Sequence, residues 1–199
     1  GKLADYTWAE LQELHLKNKK GEITEYKIPT LSEVLEWARG KTVLILDKKN
    51  VPLEMTAAMI REHKANSYVI NMVRSTEEAL FYYNEDPDRM FSASIRTPET
   101  LSEYINAGIP PTQMFACIGT EITGETPAFC ELLRSHGMRS LLATASSYDK
   151  LPDPQQRAEA WRKIIDAGVT IIESNYPVEV GNAIYNEKTG NNLAKSADK

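Results

Sequence analysis

Six strand-sized apolar runs punctuate the chain: TVLIL (42–46), SYVINMV (67–73), MFSASI (90–95), MFACIG (114–119), MRSLLATA (138–145) and VTIIES (169–174). Most are nearly continuous instead of alternating, the pattern of parallel strands covered on both faces. Between them apolar residues recur at helical spacing, over 53–65, 76–84, 98–107, 126–136 and 154–167. Thr7-Trp-Ala-Glu10, Thr30-Leu-Ser-Glu33 and Ser75-Thr-Glu-Glu78 each set a hydroxyl three residues before a Glu, the signature of a capped helix start. Thr97-Pro98-Glu99 places proline where a first helical turn has no use for its N–H. Gly40, Gly108, Gly137 and Gly168 stand at helix ends, each within a few residues of the next apolar run.

This grammar predicts an α/β protein with about six parallel strands and right-handed crossover helices, the larger part of a TIM-type (β/α) barrel. A closed barrel takes eight strands in about 250 residues, so the expectation is a partial one. The alternative is an open doubly wound sheet, whose hallmark is a glycine-rich first turn. Neither GxGxxG nor GxxxxGK[ST] occurs, which removes the usual nucleotide cradles. Residues 1–29 read as a connecting segment with a short helix from Thr7 to about Lys17 and a polar turn at Lys19-Lys20-Gly21. Residues 30–185 carry the barrel portion, and 186–199 form a polar tail expected to fray.

Composition narrows the function classes. The 199 residues are 42% hydrophobic and 26% charged, enough for one buried core. A formal charge of −5 argues against sequence-independent binding of nucleic acid, which needs a basic face. No apolar run approaches the roughly 18 residues of a membrane span. No signal peptide is visible, and a start at Gly1 without Met reads as a processed form, which leaves the compartment unknown. Cys117 and Cys130 lack metal-type spacing and read as small buried hydrophobes.

The chemistry gathers at the end of the first apolar run, which stops at Asp47-Lys48-Lys49. Carboxyl ends of strands form the reactive face of parallel α/β folds. Alternation puts Asp47 and Lys49 on one side, where a hard oxygen ligand and a point charge suit a divalent metal with a bound phosphate. A solvated turn is the plainer reading of the same residues. Arg74 and Arg96 follow other strand ends and could hold phosphate or simply edge a helix. Thr120-Glu121-Ile122-Thr123-Gly124 could line a pocket, and Ser146, Ser147, Tyr148 and Asp149 could bind a polyol. No Gly-x-Ser-x-Gly elbow supports a serine hydrolase. Trp8, Trp37 and Trp161 are expected in helix–sheet packing. His15 is expected in the first helix, His63 in a crossover helix and His136 at a helix terminus, all away from the reactive face.

IPTLSEVLEWARGKTVLILDKK (28–49) resembles a segment of the glycerophosphodiester phosphodiesterase family, of the general form IPTLEEVL…KGK…I(E/D)xK. Asp5-Tyr-Thr-Trp-Ala-Glu-Leu11 is similar to the family's connecting segment just upstream. Ala167-Gly-Val-Thr-Ile-Ile-Glu-Ser-Asn-Tyr-Pro177 resembles its closing AG(A/V)D…TDxP element. The resemblance implies a metal-dependent phosphodiesterase barrel of lipid and glycerophosphodiester metabolism, with calcium or magnesium as cofactor. It implies Asp47 as metal ligand and Lys49 near the phosphate, with Lys48, Glu173 and Asn175 as further phosphate or substrate contacts. Asn175 stands where the family often has Asp. The family's His-Arg-Gly motif, Glu-x-Asp pair and second His-Asp have no counterpart in this sequence. The expectation is therefore a C-terminal part of the barrel with no catalytic residue of its own, inactive alone, whose histidines a full-length protein would supply. The competing expectation is a non-catalytic derivative that binds a phosphate, a polyol or a protein. Open sheet edges are expected to be covered by an N-terminal segment, a swapped neighbour or a second copy.

Overall fold

The computed structural model describes residues 2–18, 20–47 and 49–194, with side chains as far as Tyr185. Six strands form one parallel sheet in sequence order: β3 (Leu44–Leu46), β4 (Val69–Val73), β5 (Met90–Ser94), β6 (Met114–Gly119), β7 (Arg139–Ala143) and β8 (Ile171–Glu173). The sheet curls through 227° as a partial (β/α) barrel, so the predicted architecture and all six predicted strands are present. Consecutive strands pair as neighbours because each crossover is a short helix that returns the chain beside its last strand.

Those crossovers are α3 (Leu53–Glu62), α4 (Thr76–Glu85), α5 (Pro98–Asn106), α6 (Thr126–Ser135) and α7 (Pro154–Asp166), preceded by α2 (Leu31–Ala38). Thr30 and Glu33 close the predicted capping box at the start of α2. At α4, Ser75 accepts from the Glu78 amide, while the Glu78 carboxylate turns to the Arg74 amide instead of closing the box. Gly168 shows why glycine ends α7. Its φ is +90°, and an added Cβ would sit 3.1 Å from that of Cys130.

Strand parity assigns the faces. Phe91, Ala93 and Ile95 pack outward with Leu101, Tyr104 and Leu133 in the largest core cluster. Leu44 and Leu46 pack outward against the cluster of Leu35, Ile60 and Val69. Ile172 does so against Leu142, Trp161 and Ile164. Their alternate neighbours, Ile45, Ser94, Cys117 and Glu173 among them, face the concave side.

Four expectations are corrected. The helix expected to reach Lys17 is α1 (Trp8–Gln12), and His15 lies instead in strand β1 (His15–Lys17), paired antiparallel with β2 (Ile23–Lys27). The spacing explains it: apolar residues at Leu14 and Leu16 alternate, a period of two. The Asn18 carboxamide then accepts from the Lys20 and Glu22 amides, which builds the turn. Trp161 is fully buried, but Trp8 and Trp37 are exposed; α2 buries Leu35 and Ala38 and turns Trp37 to solvent beneath Lys41. Cys130 is buried as expected, whereas Cys117 is only partly so. Helix α8 (Pro177–Ala194) runs past residue 186, where the sequence suggests a tail. Lys19 and residues 195–199 lie outside the described residues.

Candidate functional site

Asp47 follows β3 directly, and Lys49 lies two residues on. The Lys49 ammonium donates to Asp47 Oδ2, and Arg74, just beyond β4, donates to Oδ1 at 3.3 Å. Both residues of the pair line one cavity of about 210 Å³ with Leu31, Ile45, Asn71 and Tyr82. Asp47 and Lys49 thus meet beside one cavity, and Arg74 from the neighbouring strand reaches the same carboxylate. Lys48 lies outside the described residues. The Asp47 carboxylate is about a third exposed, so this cluster is a wet, screened one whose ion pairs contribute little stability.

At the opposite edge, Glu173 ends β8 on the same concave face. Between the edges Cys117 of β6 reports who its neighbours are. Burial pushes its thiol up most; a backbone hydrogen bond at Gly119 opposes that, Glu173 raises it further and Arg96 lowers it. Glu173, Cys117 and Arg96 therefore share one electrostatic neighbourhood inside the mouth. Asn175 is exposed and contributes its amide N–H, not its side chain, to the loop that follows.

That loop is built around Asp149, 5% exposed. Its carboxylate accepts from Thr144 Oγ1 at 2.6 Å, from Ser174 Oγ at 3.0 Å and from the Asn175 amide at 2.7 Å. Ser147 Oγ donates to the Thr120 carbonyl, and Tyr148 Oη accepts from the Ile122 amide. These contacts correct the polyol expectation for Ser147, Tyr148 and Asp149. They fasten three strand-end loops together, a long-range role invisible to a reading of neighbours in sequence.

The histidines lie elsewhere. His15 Nδ1 meets the Thr24 carbonyl in the hairpin. His136 caps the C-terminus of α6. His63 stands between Ser32 Oγ at 2.9 Å and Glu36 Oε1 at 2.7 Å, joining α2 to the end of α3 across 31 residues of sequence. The Glu36 carboxyl is held low by His63 and then Arg39. That relay clamps two helices, since Arg39 also donates to the His63 carbonyl.

A divalent cation does not fit these residues alone. Both Asp47 oxygens already face cations, and among the described residues no group of three His, Cys, Asp or Glu could hold a metal. Nor is any described helix long and apolar enough to cross a membrane.

A parallel (β/α) sheet with charged groups at its carboxyl ends is the frame of a partial TIM-type barrel. In sequence and fold the chain is similar to glycerophosphodiester phosphodiesterases. It is 47% identical to a glycerophosphoryl diester phosphodiesterase from Parabacteroides distasonis, with a TM-score of 0.89 over 94% of this chain. It spans 65% of that protein, less than two thirds of its length. The fold also matches a second phosphodiesterase from Parabacteroides distasonis at 18% identity, TM-score 0.65, over 92% of this chain and 72% of that one. One from Agrobacterium tumefaciens matches at 15% identity, TM-score 0.65, over 90% and 73%. No family model matches the chain, and neither does any curated protein.

Proposed function

We propose that this chain is the phosphate-recognising part of a glycerophosphodiester phosphodiesterase and does not hydrolyse substrate by itself. The observation that supports this most is the meeting of Asp47, Lys49 and Arg74 beside one cavity at the carboxyl end of two adjacent strands. Lys49 and Arg74 offer charge-assisted donors to phosphate oxygens, and Arg96 a third cation along the same rim. Glu173 and Asn175, at the end of β8 on the opposite edge of the sheet, contact the substrate's hydroxyls from across the mouth. Asp47 offers one oxygen to a divalent cation, calcium or magnesium, which it holds only together with ligands from beyond these residues. General acid–base hydrolysis needs a proton carrier within hydrogen-bond reach of the leaving oxygen. His15, His63 and His136 are each engaged elsewhere or at a helix terminus, which supports inactivity of the chain alone.

Calorimetric titration with glycerol phosphate, alongside a hydrolysis assay with glycerophosphodiesters and calcium or magnesium, tests the reading. Without metal, Lys49→Met weakens phosphate binding about tenfold, the loss of one charge-assisted contact. Asp47→Asn strengthens it, because the substitution removes the carboxylate that competes with phosphate for Lys49. Turnover by the unmodified chain, or phosphate binding indifferent to both substitutions, overturns the proposal.

A further inference from the structure

Three side chains stand in line where α2 meets the end of α3. Ser32 Oγ lies 2.9 Å from His63 Nε2, and His63 Nδ1 lies 2.7 Å from Glu36 Oε1. A carboxylate only accepts, so Nδ1 carries the imidazole proton and Nε2 keeps its lone pair for the serine hydroxyl. Nucleophile, base and orienting carboxylate are thus spaced within the roughly 2.6–3.2 Å reach that a serine relay needs. The ring is held in place from several sides. Only 13% of the His63 side chain is exposed. Arg39 donates to the His63 carbonyl and to Glu36 Oε1, which ties both partners back to α2. Leu35 of α2 and Ile60 of α3 are fully buried in one cluster, and the Tyr68 hydroxyl donates to the Leu35 carbonyl at 3.0 Å. The relay therefore rests on two packed helices and not on a loop.

A clamp between helices needs only His63 and Glu36. The serine on the far nitrogen adds a nucleophile whose proton is already aimed at a base. Ser32 is the second residue of α2, in the turn that Thr30 caps. The Glu33 amide bonds Thr30 Oγ1 and the Val34 amide bonds the Thr30 carbonyl. Among the described residues the Leu31 and Ser32 amides have no such partner, so two N–H groups at the helix's positive end stand beside the hydroxyl. Donors of that kind suit the oxyanion of a tetrahedral intermediate. We infer that Ser32 is an activated nucleophile that takes the acyl group of a short carboxylic ester, with His63 as general base and Glu36 orienting it. Ser32 Oγ bonds to the acyl carbon while its proton passes to His63 Nε2. The bond from that carbon to the alcohol oxygen breaks, and the alcohol leaves with the proton. Water then attacks the acyl-serine by the same route, which releases the carboxylic acid and restores Ser32. No glycine-flanked elbow is needed, because such relays are defined by geometry and not by sequence order. Ser32 is half-buried, and the cavity of about 210 Å³ is lined by its neighbour Leu31 and not by it, which leaves room for a short acyl group only. The inference uses neither the metal nor the phosphate of the diester reading and stands apart from it.

The test incubates the metal-free chain with p-nitrophenyl acetate and, separately, with diisopropyl fluorophosphate, reading p-nitrophenol release and the masses of the serine peptides. A single phosphoryl adduct is expected, on Ser32. None is expected on Ser135, a more exposed serine whose hydroxyl donates to the Leu132 carbonyl and faces no base. Ser32→Ala abolishes both adduct and ester hydrolysis, and His63→Gln lowers kcat by about a hundredfold or more, the worth of a general base. Glu36→Gln lowers kcat by about tenfold or more at unchanged KM, since it orients the base without touching substrate. These side chains also join two helices, so the urea midpoint of each variant is read alongside. Glu36→Gln keeps its shape at a position more than half exposed, and it decides the matter where another variant does not fold. An unlabelled Ser32, equal labelling of Ser135, or hydrolysis that folded Ser32→Ala or Glu36→Gln leaves unchanged overturns the inference and leaves the three residues a clamp.

Discussion

Asp149 offers the sharpest test of how the strand-end loops are held. Its carboxylate takes four contacts from Thr144, Ser174 and the Asn175 amide, at 2.6 to 3.0 Å, in a site 5% exposed. Asp149→Asn keeps the shape and one accepting oxygen, which can retain Thr144 and one Ser174 contact. The other oxygen becomes an NH₂ group facing the Asn175 N–H, donor against donor. One charge-assisted bond is lost, the Thr144 bond loses its ionic partner, and a buried amide is left unsatisfied. At about 1.5–3 kcal/mol for a hydrogen bond to a charged group, the expected cost is about 3 kcal/mol. For a domain of this size that lowers the Tm by about 6–12 °C. Urea unfolding should show a lower midpoint at unchanged m, and hydrogen exchange at the Asn175 amide should accelerate. Ser174→Ala, which removes a donor and leaves the carboxylate, should cost less, and the double variant should fall short of the sum. If Asp149→Asn unfolds within about 0.5 kcal/mol of the parent, the loops are held by something else, and the positioning argument for Glu173 and Asn175 fails.

Two further outcomes follow from the same geometry. With Cys130 replaced by Ala as background, alkylation of Cys117 by iodoacetamide at fixed pH should quicken in Glu173→Gln and slow in Arg96→Ala, because those charges raise and lower its thiol respectively; equal rates would place both charges out of reach. Burial pushes the Tyr104 phenol up to about 12, and its hydroxyl has no hydrogen-bond partner among the described residues. A raised folded pKa means the stabilising contribution is present below the ordinary tyrosine value near 10.0 and fades as pH climbs toward 12. Tyr104→Phe should thus gain about 1 kcal/mol at neutral pH and lose less stability in alkali, read from urea midpoints across pH. A destabilised Phe variant would show that the hydroxyl is satisfied after all.

What the sequence disclosed was whatever depends on near neighbours. The six strands were legible because both faces are covered, so each reads as an apolar run that a glycine or a polar cluster ends. Glu10 and Glu33 close their capping boxes as written, since a box spans only four residues. The likeness of 28–49 to the family's strand-end segment located Asp47 and Lys49 together. What stayed hidden depends on distance. Arg74 reaches Asp47 across 27 residues, and Asp149 reaches Asn175 across 26. The hairpin of β1 and β2 was hidden for a different reason. A helix start at Thr7 is well marked, and only the shift to alternation at Leu14 and Leu16 announces that the helix has stopped. Trp8 and Trp37 misled because residue type does not say which face of a helix it occupies. A cavity of about 640 Å³ lined by Pro98 and Glu99 of α5 and by Thr126 and Phe129 of α6 is a meeting of two helix starts, and no single stretch of sequence contains it.

The placement of charge around the mouth divides the labour of the site. The two strands with an unpaired side, β3 and β8, carry the acidic groups, Asp47 and Glu173. The ends of β4 and β5, between them, carry Arg74 and Arg96. Cations are thus gathered where the sheet is continuous, and carboxylates stand at the two lips of the opening. A phosphate needs convergent cations, and those come from β4, β5 and the loop after β3, all fixed by strands paired on both sides or by the Asp47 contact. A metal needs several oxygens converging on one point, and the two acids here lie at opposite ends of a 227° arc. On the proposed reading, the further ligands come from beyond the described residues. Phosphate binding, on the proposed reading, draws on the cations of the closed side of the arc. On the same reading, a metal would be held by Asp47 only together with ligands from beyond these residues.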